Sequence, residues 1–556
     1  MIGVLADPAQ EEVVREFFEL FKTPWEFYQK NRKYDVVLCS GNRTQPVDAS
    51  LIIVYAGSPI QFDDEKNRQI APSQDEHRLL AYRGTRLPIY GDFVTFPGEK
   101  NQLLAHEASR EAAVWIERSK EITTVRVGYD LFAEVGSLLT VGQPAIHAGI
   151  PALELHIAFL RDVITFCGLP LVEIPPIPEG YAFVTCLTHD VDHPSIRKHK
   201  WDHTMLGFLY RAVVGSVAAR LNGRISTPEL LRNWIAALKL PLVYLGLAKD
   251  FWSDFDDRYL ELEKGLPSTF FFIPFKNRPG KNLTGAAPVY RAAAYGAADL
   301  GKTIQKLLSA GSEVGLHGID AWLDSSQGRR EFDEIRQLTG LSQIGVRMHW
   351  LYYGKQSPVV LEEAEAAYDS TVGYNETVGY RAGTTQVYKQ LRTSRLLELP
   401  LHVMDTALFY PNYRNLSKQD AKGLVSRMMD QAVEFGGCIT LNWHDRSLAP
   451  ERLWGDCYRD LTDDMKSRGA WFATAGQAVS WFRKRRLVGF DGSRVDSGEV
   501  LVRVPADAEE TSLPGLRLRI HEARKPENTH EQGQLRYVDT PISDKTSIRV
   551  SCAASQ

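Results

Sequence analysis

The most chemistry in the smallest space lies in the stretch LTHDVDHP at 187–194, which carries His189, Asp190, Asp192 and His193. Imidazoles and carboxylates this close together suit proton transfer or the binding of a divalent cation, and buried charges of this kind need a partner. The stretch follows an apolar run at 181–187 whose period-2 pattern predicts a buried strand. The polar cluster therefore falls at the C-terminal end of a strand, where α/β folds hold their reactive groups.

The same placement recurs downstream. His317 and Asp320 lie in SEVGLHGIDAW, Arg347 and His349 in GVRMHWLYY, Asp369 in AAYDSTVGY, Arg381 in VGYRAGT, Asp405 in LLELPLHVMD, and His444 and Asp445 in CITLNWHD, each just past a predicted strand. One carboxylate with two imidazoles suffices for a catalytic divalent metal with open positions. A second carboxylate near the ligand can act as base on water and a late histidine as acid, an arrangement suited to metal-assisted hydrolysis of an amide or ester.

The elements that must position these groups alternate. A short aromatic strand is predicted at 267–275 and helices at 298–310, 331–338 and 417–435, with a mostly helical excursion at 201–264. Strand and helix alternating over about 300 residues predict a parallel β/α barrel. The fold class expected is α/β: an irregular parallel (β/α) barrel of about seven strands, preceded by an α/β N-terminal domain and followed by a small β appendage. The domains are expected at 1–175, 176–486 and 487–556, the first boundary at the stiff proline cluster VEIPPIPEG. In the first domain a helix is predicted at 11–20, strands at 34–39 and 49–55 and a helical run at 103–118, with no glycine-rich phosphate loop. In the last, the short alternating stretches EVLVRV and GLRLRI predict strands, and the final thirty or so residues are polar enough to be partly disordered.

A net charge of −4 over 556 residues gives no single-sign field, which argues against a nucleic-acid partner. The six cysteines are scattered without a C-x-x-C pair, as in a reducing compartment. Asp7 and Glu11 interrupt the apolar stretch that a signal peptide needs, and no later segment approaches a membrane span, so a cytoplasmic protein with no transmembrane segment is expected. The segment 205–221 has apolar residues at helical spacing beside Arg211 and Arg220, which allows peripheral membrane contact, although packing on the protein itself is the simpler expectation.

Taken together, these motifs resemble the polysaccharide deacetylases, the NodB-homology or carbohydrate esterase family 4 group. LTHDVDH is similar to the first motif, with one residue between the aspartates; EVGLHG to the start of the second; GVRMH to the third; AYDSTVGY to the region of the fourth; and TLNWHD to the fifth, followed by a GAW…SW ending. The resemblance covers 181–485. It implies a divalent metal, Zn2+ above all, and a carbohydrate substrate bearing an N-acetyl group, from a surface polysaccharide or its precursor. It assigns Asp190 as general base, Asp192 and His317 as metal ligands, His444 as general acid and Arg347 as the arginine that orients the base. Asp369 lies near the place of the carboxylate that tunes the acid, and Arg381 sits in a second arginine-bearing turn suited to contact base or substrate.

The chain departs from the family at Ala321, where a second histidine is normally found four residues after the first. His349 is the replacement expected, because adjacent strand ends face one mouth. Asp320 is the other candidate, less suited because a set with one imidazole binds zinc less well. Two alternatives stand beside the deacetylase: an inactive carbohydrate-binding or scaffold protein on the same barrel, and an amidohydrolase acting on a small non-sugar amide. Trp322, Trp350, Tyr352, Tyr353 and Trp443 are candidates to stack on sugar rings, with core packing the simpler role for each. His193, His199 and His203 are expected in exposed loops, and Asp405 and Asp445 as caps or structural acceptors.

Overall fold

The run FVTCLTHDV is buried along its whole length, which a strand achieves when neighbours flank it and both faces are covered. It forms β1 (Phe183–Val191), the centre of a curled parallel sheet in a computed structural model of the chain. The structure describes residues 1–41, 47–72, 78–99, 103–494, 499–505, 512–524 and 536–542. They divide into two units. One comprises Met1–Gly180, Ala382–Gln386 and Trp481–Gln556, the other Tyr181–Arg381 and Val387–Ser480.

The second unit is built on β1, β2 (Ser268–Phe272), β3 (Glu313–Gly318), β4 (Val346–Met348), β5 (Val403–Met404), β6 (Cys438–Asn442) and β7 (Ala470–Ala473). Six of them run in the order β4-β3-β2-β1-β6-β5. β7 takes the lower part of the β1 edge that β2 occupies higher up, Phe183–Cys186 pairing with β7 and Leu187–Val191 with β2. Between β4 and β5 the hydrogen bonding continues through single bridges, Val346 to Asp369 and Asp369 to Glu398. The helices Gly301–Ser309, Ser325–Thr339, Lys418–Phe435 and Gly455–Ser467 lie between the strands, and their buried faces share one core with Leu187, Phe270, Leu316 and Leu441.

Three expectations for this unit are corrected. β1 runs on to Val191, so His189 and Asp190 are inside the strand rather than behind it. The stretches AAYDSTVGY and VGYRAGT are not strands. Asp369, Ser370 and Thr371 bury polar side chains that bond to neighbouring segments, which leaves a single bridge where a longer ladder was expected. The strand read through GVRMHWLYY stops at Met348, because Trp350 (φ 62°) and Leu351 (φ 52°) are left-handed and turn the chain away.

The first unit holds a six-stranded sheet in which the hairpin Val114–Arg118 and Thr123–Val127 joins Ala49–Tyr55, Tyr34–Ser40, Ile2–Leu5 and Trp25–Phe27. The helix predicted over 103–118 is therefore a correction. Charged residues at 107–111 suit a helix, but Val114, Trp115 and Ile116 favour a strand, and Trp115 is fully buried with its ring stacked on Phe62 at 6.1 Å. Near the other end of the chain Leu171–Glu173 pairs antiparallel with Leu516–His521, which pairs with Tyr537–Ile542. Of the C-terminal tail expected to be disordered, residues 525–535 and 543–556 lie outside the described residues. Among the described residues, no helix is long and apolar enough to cross a membrane.

Glu173 anchors the seam between these early and late strands. Its Oε2 accepts from Arg161 Nη2 at 2.8 Å and its Oε1 pairs with His521 Nε2 at 2.9 Å, all in the interior. Burial raises the carboxyl's pKa, but Arg161 and His521 outweigh burial and hold it well below the usual range. A depressed carboxylate contributes stability above the unfolded value of about 4.3 and loses it as pH falls. Glu173→Gln should lower stability at pH 7 by about 3 kcal/mol by leaving the largely buried Arg161 guanidinium uncompensated. The gap from wild type should shrink as pH falls below about 4. Melting temperatures across that range check this, and a gap independent of pH would refute it.

Candidate metal centre and its proton-transfer partners

Along a strand, alternate side chains share a face, so Asp190 and Asp192 point one way and His189 the other. His189 is fully buried, its Nδ1 donating to the Trp443 carbonyl at 2.8 Å and its Nε2 paired with Glu263 Oε1 at 2.8 Å. It holds the sheet together and takes no part in the site. Asp192 follows directly after the strand.

His317 and Arg347 are register partners on β3 and β4, which places His349 just beyond the end of β4 and close to His317. Each imidazole is fixed by a backbone carbonyl. His317 Nδ1 lies 2.9 Å from Arg347 O, and His349 Nε2 lies 3.1 Å from Arg291 O. A carbonyl only accepts, so those nitrogens carry the protons, and His317 Nε2 and His349 Nδ1 present lone pairs to each other at 3.1 Å. Asp192 Oδ1 stands 3.3 Å from the first and 3.4 Å from the second. It is buried without a hydrogen-bond partner. Burial lowers the pKa of His349, favouring the neutral ring.

Three electron-rich atoms thus converge within 4.8 Å of one another. Two imidazoles and a carboxylate in this arrangement fit a divalent cation, with ring orientations fixed by outer hydrogen bonds as in known metal sites. Asp320 is engaged elsewhere, its Oδ1 accepting from Lys281 N at 2.7 Å. Ala321 is fully buried and packs against the helix Ser325–Thr339 at Gly328, where a β-carbon on the glycine would stand 3.4 Å from it.

Asp190 sits beside this triad under different control. Arg347 Nη1 donates to its Oδ1 at 3.1 Å and Asn442 Nδ2 to its Oδ2 at 2.7 Å. Arg347 is completely buried, and also donates to Thr188 Oγ1, Ser370 O and Ser370 Oγ while its guanidinium lies 4.7 Å from the Phe271 ring. Breaking such a pair from one side costs about 3–5 kcal/mol. Asn442 was missed by the sequence reading. The available signal was period 2 on β6, which puts it two residues before His444, with Thr188 as its register partner on β1.

His444 Nδ1 lies 2.6 Å from Asp405 Oδ1, and its ring reaches to 3.8 Å from Asp192 Oδ2. Asp405 also accepts from the His444 N–H at 2.7 Å and from Ser447 Oγ. Burial disfavours a charged imidazole here, yet Asp405, Asp192 and Asp190 outweigh it and raise His444 to about 10. The carboxylate beside the acid is therefore Asp405, which had been expected only as a cap or structural acceptor. Asp369 lies elsewhere, its carboxylate bonded to Thr371 Oγ1 at 2.5 Å and Gln390 Nε2 at 3.1 Å, with its pKa raised by burial. Arg381 lies over the Tyr374 ring at 5.4 Å, and the arginine on Asp190 is Arg347 alone among the described residues.

His193 and His199 are corrected from exposed loop residues: His193 is half-buried and His199 is buried. Their rings are 3.2 Å apart at Nδ1 and Nε2, and His199 Nδ1 pairs with Asp202 at 2.7 Å, while His203 is exposed as expected. Trp322 and Trp443 are buried core residues, whereas Trp350 is only half-buried and stands 5.8 Å from the His349 ring and 5.5 Å from the exposed Tyr290. A cavity of about 450 Å3 elsewhere in the unit, lined by Arg232, Arg258 and Arg459 among others, includes none of the triad.

No family model and no curated protein matches the chain. Several solved structures are distantly similar, among them these two. One, a Mycobacterium smegmatis protein assigned to the polysaccharide deacetylases, is 18% identical with a TM-score of 0.34, covering 58% of this chain and 99% of its own. The other, a GH57 branching enzyme from the hyperthermophilic archaeon Thermococcus kodakaraensis, is 12% identical with a TM-score of 0.29, covering 54% of this chain and 71% of its own.

The His444–Asp405 pair gives a direct test. Asp405→Asn should return the His444 ring from about 10 toward the ordinary imidazole value of about 6.5. Histidine side-chain NMR as a function of pH measures it, and an unchanged titration would show that Asp405 does not set the charge on His444.

Proposed function

We propose that the chain is a metal-dependent N-deacetylase that removes acetyl groups from N-acetylated sugars of a surface polysaccharide or its precursor. The observation that carries this reading is the convergence of Asp192, His317 and His349 on one point, beside a carboxylate and an imidazolium that are separately tuned. The five motifs supply the choice of substrate class. In this reading residues 176–486 form an irregular (β/α) barrel of about seven strands, with 1–175 and 487–556 as flanking domains.

Asp192, His317 and His349 would hold the metal, and their mixed nitrogen and oxygen donors suit Zn2+. A bound divalent ion supplies Lewis-acid polarisation of the acetamide carbonyl and lowers the pKa of water. Asp190 is held ready by Arg347 and Asn442, and it takes the proton as water oxygen bonds to the acetyl carbon. Arg347 keeps Asp190 aimed, so that it does not compete with Asp192 as a ligand. His444, positively charged at neutral pH, gives its proton to the sugar nitrogen as the carbon–nitrogen bond breaks, releasing acetate and a free amine. Asp405 holds the ring so that Nε2 faces the reacting atoms. Trp350 and Tyr290 offer aromatic faces beside His349 on which a sugar ring can lie.

Ala321 had raised the possibility of an inactive scaffold, and His349 supplies the second imidazole that its absence removed. Purified protein should bind about one Zn2+ per chain, and Asp192→Ala or His349→Ala should weaken binding by about 100-fold or more. Asp190→Asn should keep the metal and lower acetate release from N-acetyl sugars by at least about 100-fold. Metal analysis with an acetate assay checks both arms. Wild-type protein without stoichiometric metal, or one releasing ammonia from small amides but no acetate from sugars, would overturn the proposal.

A further inference from the structure

Between β1 and β2 the chain makes a helical hairpin whose outer surface inverts the usual pattern. Roughly half of the large apolar side chains exposed among the described residues fall between Trp201 and Leu247. In the helix Thr227–Tyr244 the stripe facing the protein is Glu229, Asn233, Ala236, Leu240 and Val243, which includes two polar residues. The outward stripe is Leu231, Ile235, Leu238 and Leu242, continued by Leu245 just past the helix end, with Leu238 79% and Leu245 71% exposed. Leu206, Tyr210, Val213, Val217 and Leu221 form a second exposed stripe on the preceding helical segment at 203–221. Soluble helices place their polar face outward. Here both helices turn their aliphatic side chains to solvent, although the hairpin has its own small core in Met205, Phe208, Ala236, Leu240 and Trp252.

The free charge on the hairpin itself is of one sign, although Arg232 also lines a cavity with Glu261 and Asp456. Lys200, Arg220, Arg224, Arg232 and Lys239 are exposed, and none is in an ion pair among the described residues. By helical spacing Arg232 and Lys239 share a flank of the leucine stripe. The acidic residues between 197 and 249, Asp202 and Glu229, are engaged: Asp202 by His199 and a helix N-terminus, Glu229 by Lys418 and a capping box. A second copy seated on this face would bring the same cations together, whereas an anionic surface would neutralise them. The hairpin is too polar along its inner stripe to span a bilayer, and no described helix qualifies for that. Its form suits lying in the plane of an interface, apolar stripes down and cations at the phosphates.

We propose that the hairpin 201–247 seats this protein on the surface of a bilayer containing anionic lipid. The hairpin begins nine residues after Asp192 in sequence and is tied back to the metal-centre loop, since Tyr244 Oη donates to the His199 carbonyl and His199 meets His193. Docking by this face therefore brings a membrane-borne substrate to the loops that follow β1. The inference does not depend on the deacetylase reading.

The test is co-sedimentation of the full-length chain with vesicles of phosphatidylcholine alone and with about 30% phosphatidylglycerol, alongside light scattering of the free protein. Wild type should pellet with the anionic vesicles and remain largely in solution with the neutral ones. Leu238→Glu with Leu242→Glu should weaken binding by about tenfold or more, as should Arg232→Glu with Lys239→Glu. All four positions are exposed, so both variants should keep the wild-type circular dichroism and melting temperature. Wild type that stays in solution with anionic vesicles overturns the proposal, as do folded variants of both kinds that pellet equally well. A protein that forms a dimer disrupted by the leucine variant and ignores vesicles assigns the face to a second copy instead, and equally overturns it.

Discussion

Two backbone carbonyls set the chemistry of this site. Arg347 O and Arg291 O each accept an imidazole N–H, and this alone turns the lone pairs of His317 and His349 toward Asp192. A ring free to rotate would satisfy itself with water or with the carboxylate. Arg291 must then be immobile, and its guanidinium donates to the carbonyls of Pro279, Ile319 and His349 while lying 4.2 Å from the Tyr352 ring. Gly280 (φ 73°) lets that packing close, because a β-carbon there would stand 2.6 Å from Asp320 and 2.9 Å from Arg291. The outer hydrogen bonds are as much a part of the site as the ligand atoms.

Two carboxylates two residues apart need different environments if they are to do different work. Asp192 has imidazoles around it, and its Oδ1 has no hydrogen-bond partner among the described residues. Asp190 has Arg347 and Asn442, which direct its lone pairs. His444 is pulled the opposite way, its charge favoured by Asp405 in a buried setting. The side chains that hold Asp190 and His444 are themselves fixed through Thr188, Ser370 and Ser447.

The hairpin after β1 shows a different use of surface. Its inner stripe includes Glu229 and Asn233 while its outer one is leucine and isoleucine, so burial within the chain does not explain the sequence. Apolar groups held in water at that density carry a standing free-energy cost, on the order of 25 cal/mol for each Å2, that an interface would relieve.

Much of the candidate site was legible because period 2 and strand ends are local properties of the chain. Asp190, Asp192, His317, Arg347, His349 and His444 could be placed near strand ends from spacing alone, although β1 runs on past Asp190 to Val191 and the strand carrying Arg347 stops at Met348. Which carboxylate meets His444 could not be read. Asp405 and Asp369 both follow short apolar stretches, and only the parallel pairing of β5 with β6 brings Asp405 to the imidazole while Asp369 turns to Gln390. The helix expected at 103–118 failed for a related reason, since local propensity was overruled by the burial of Trp115 in a sheet formed with residues far along the chain. The sequence by itself determined which side chains were available and the periodicity that set them at strand ends. Only the tertiary structure decided which of them meet, because hydrogen-bond and metal geometry are fixed to tenths of an ångström by register and packing between segments that spacing along one chain does not relate.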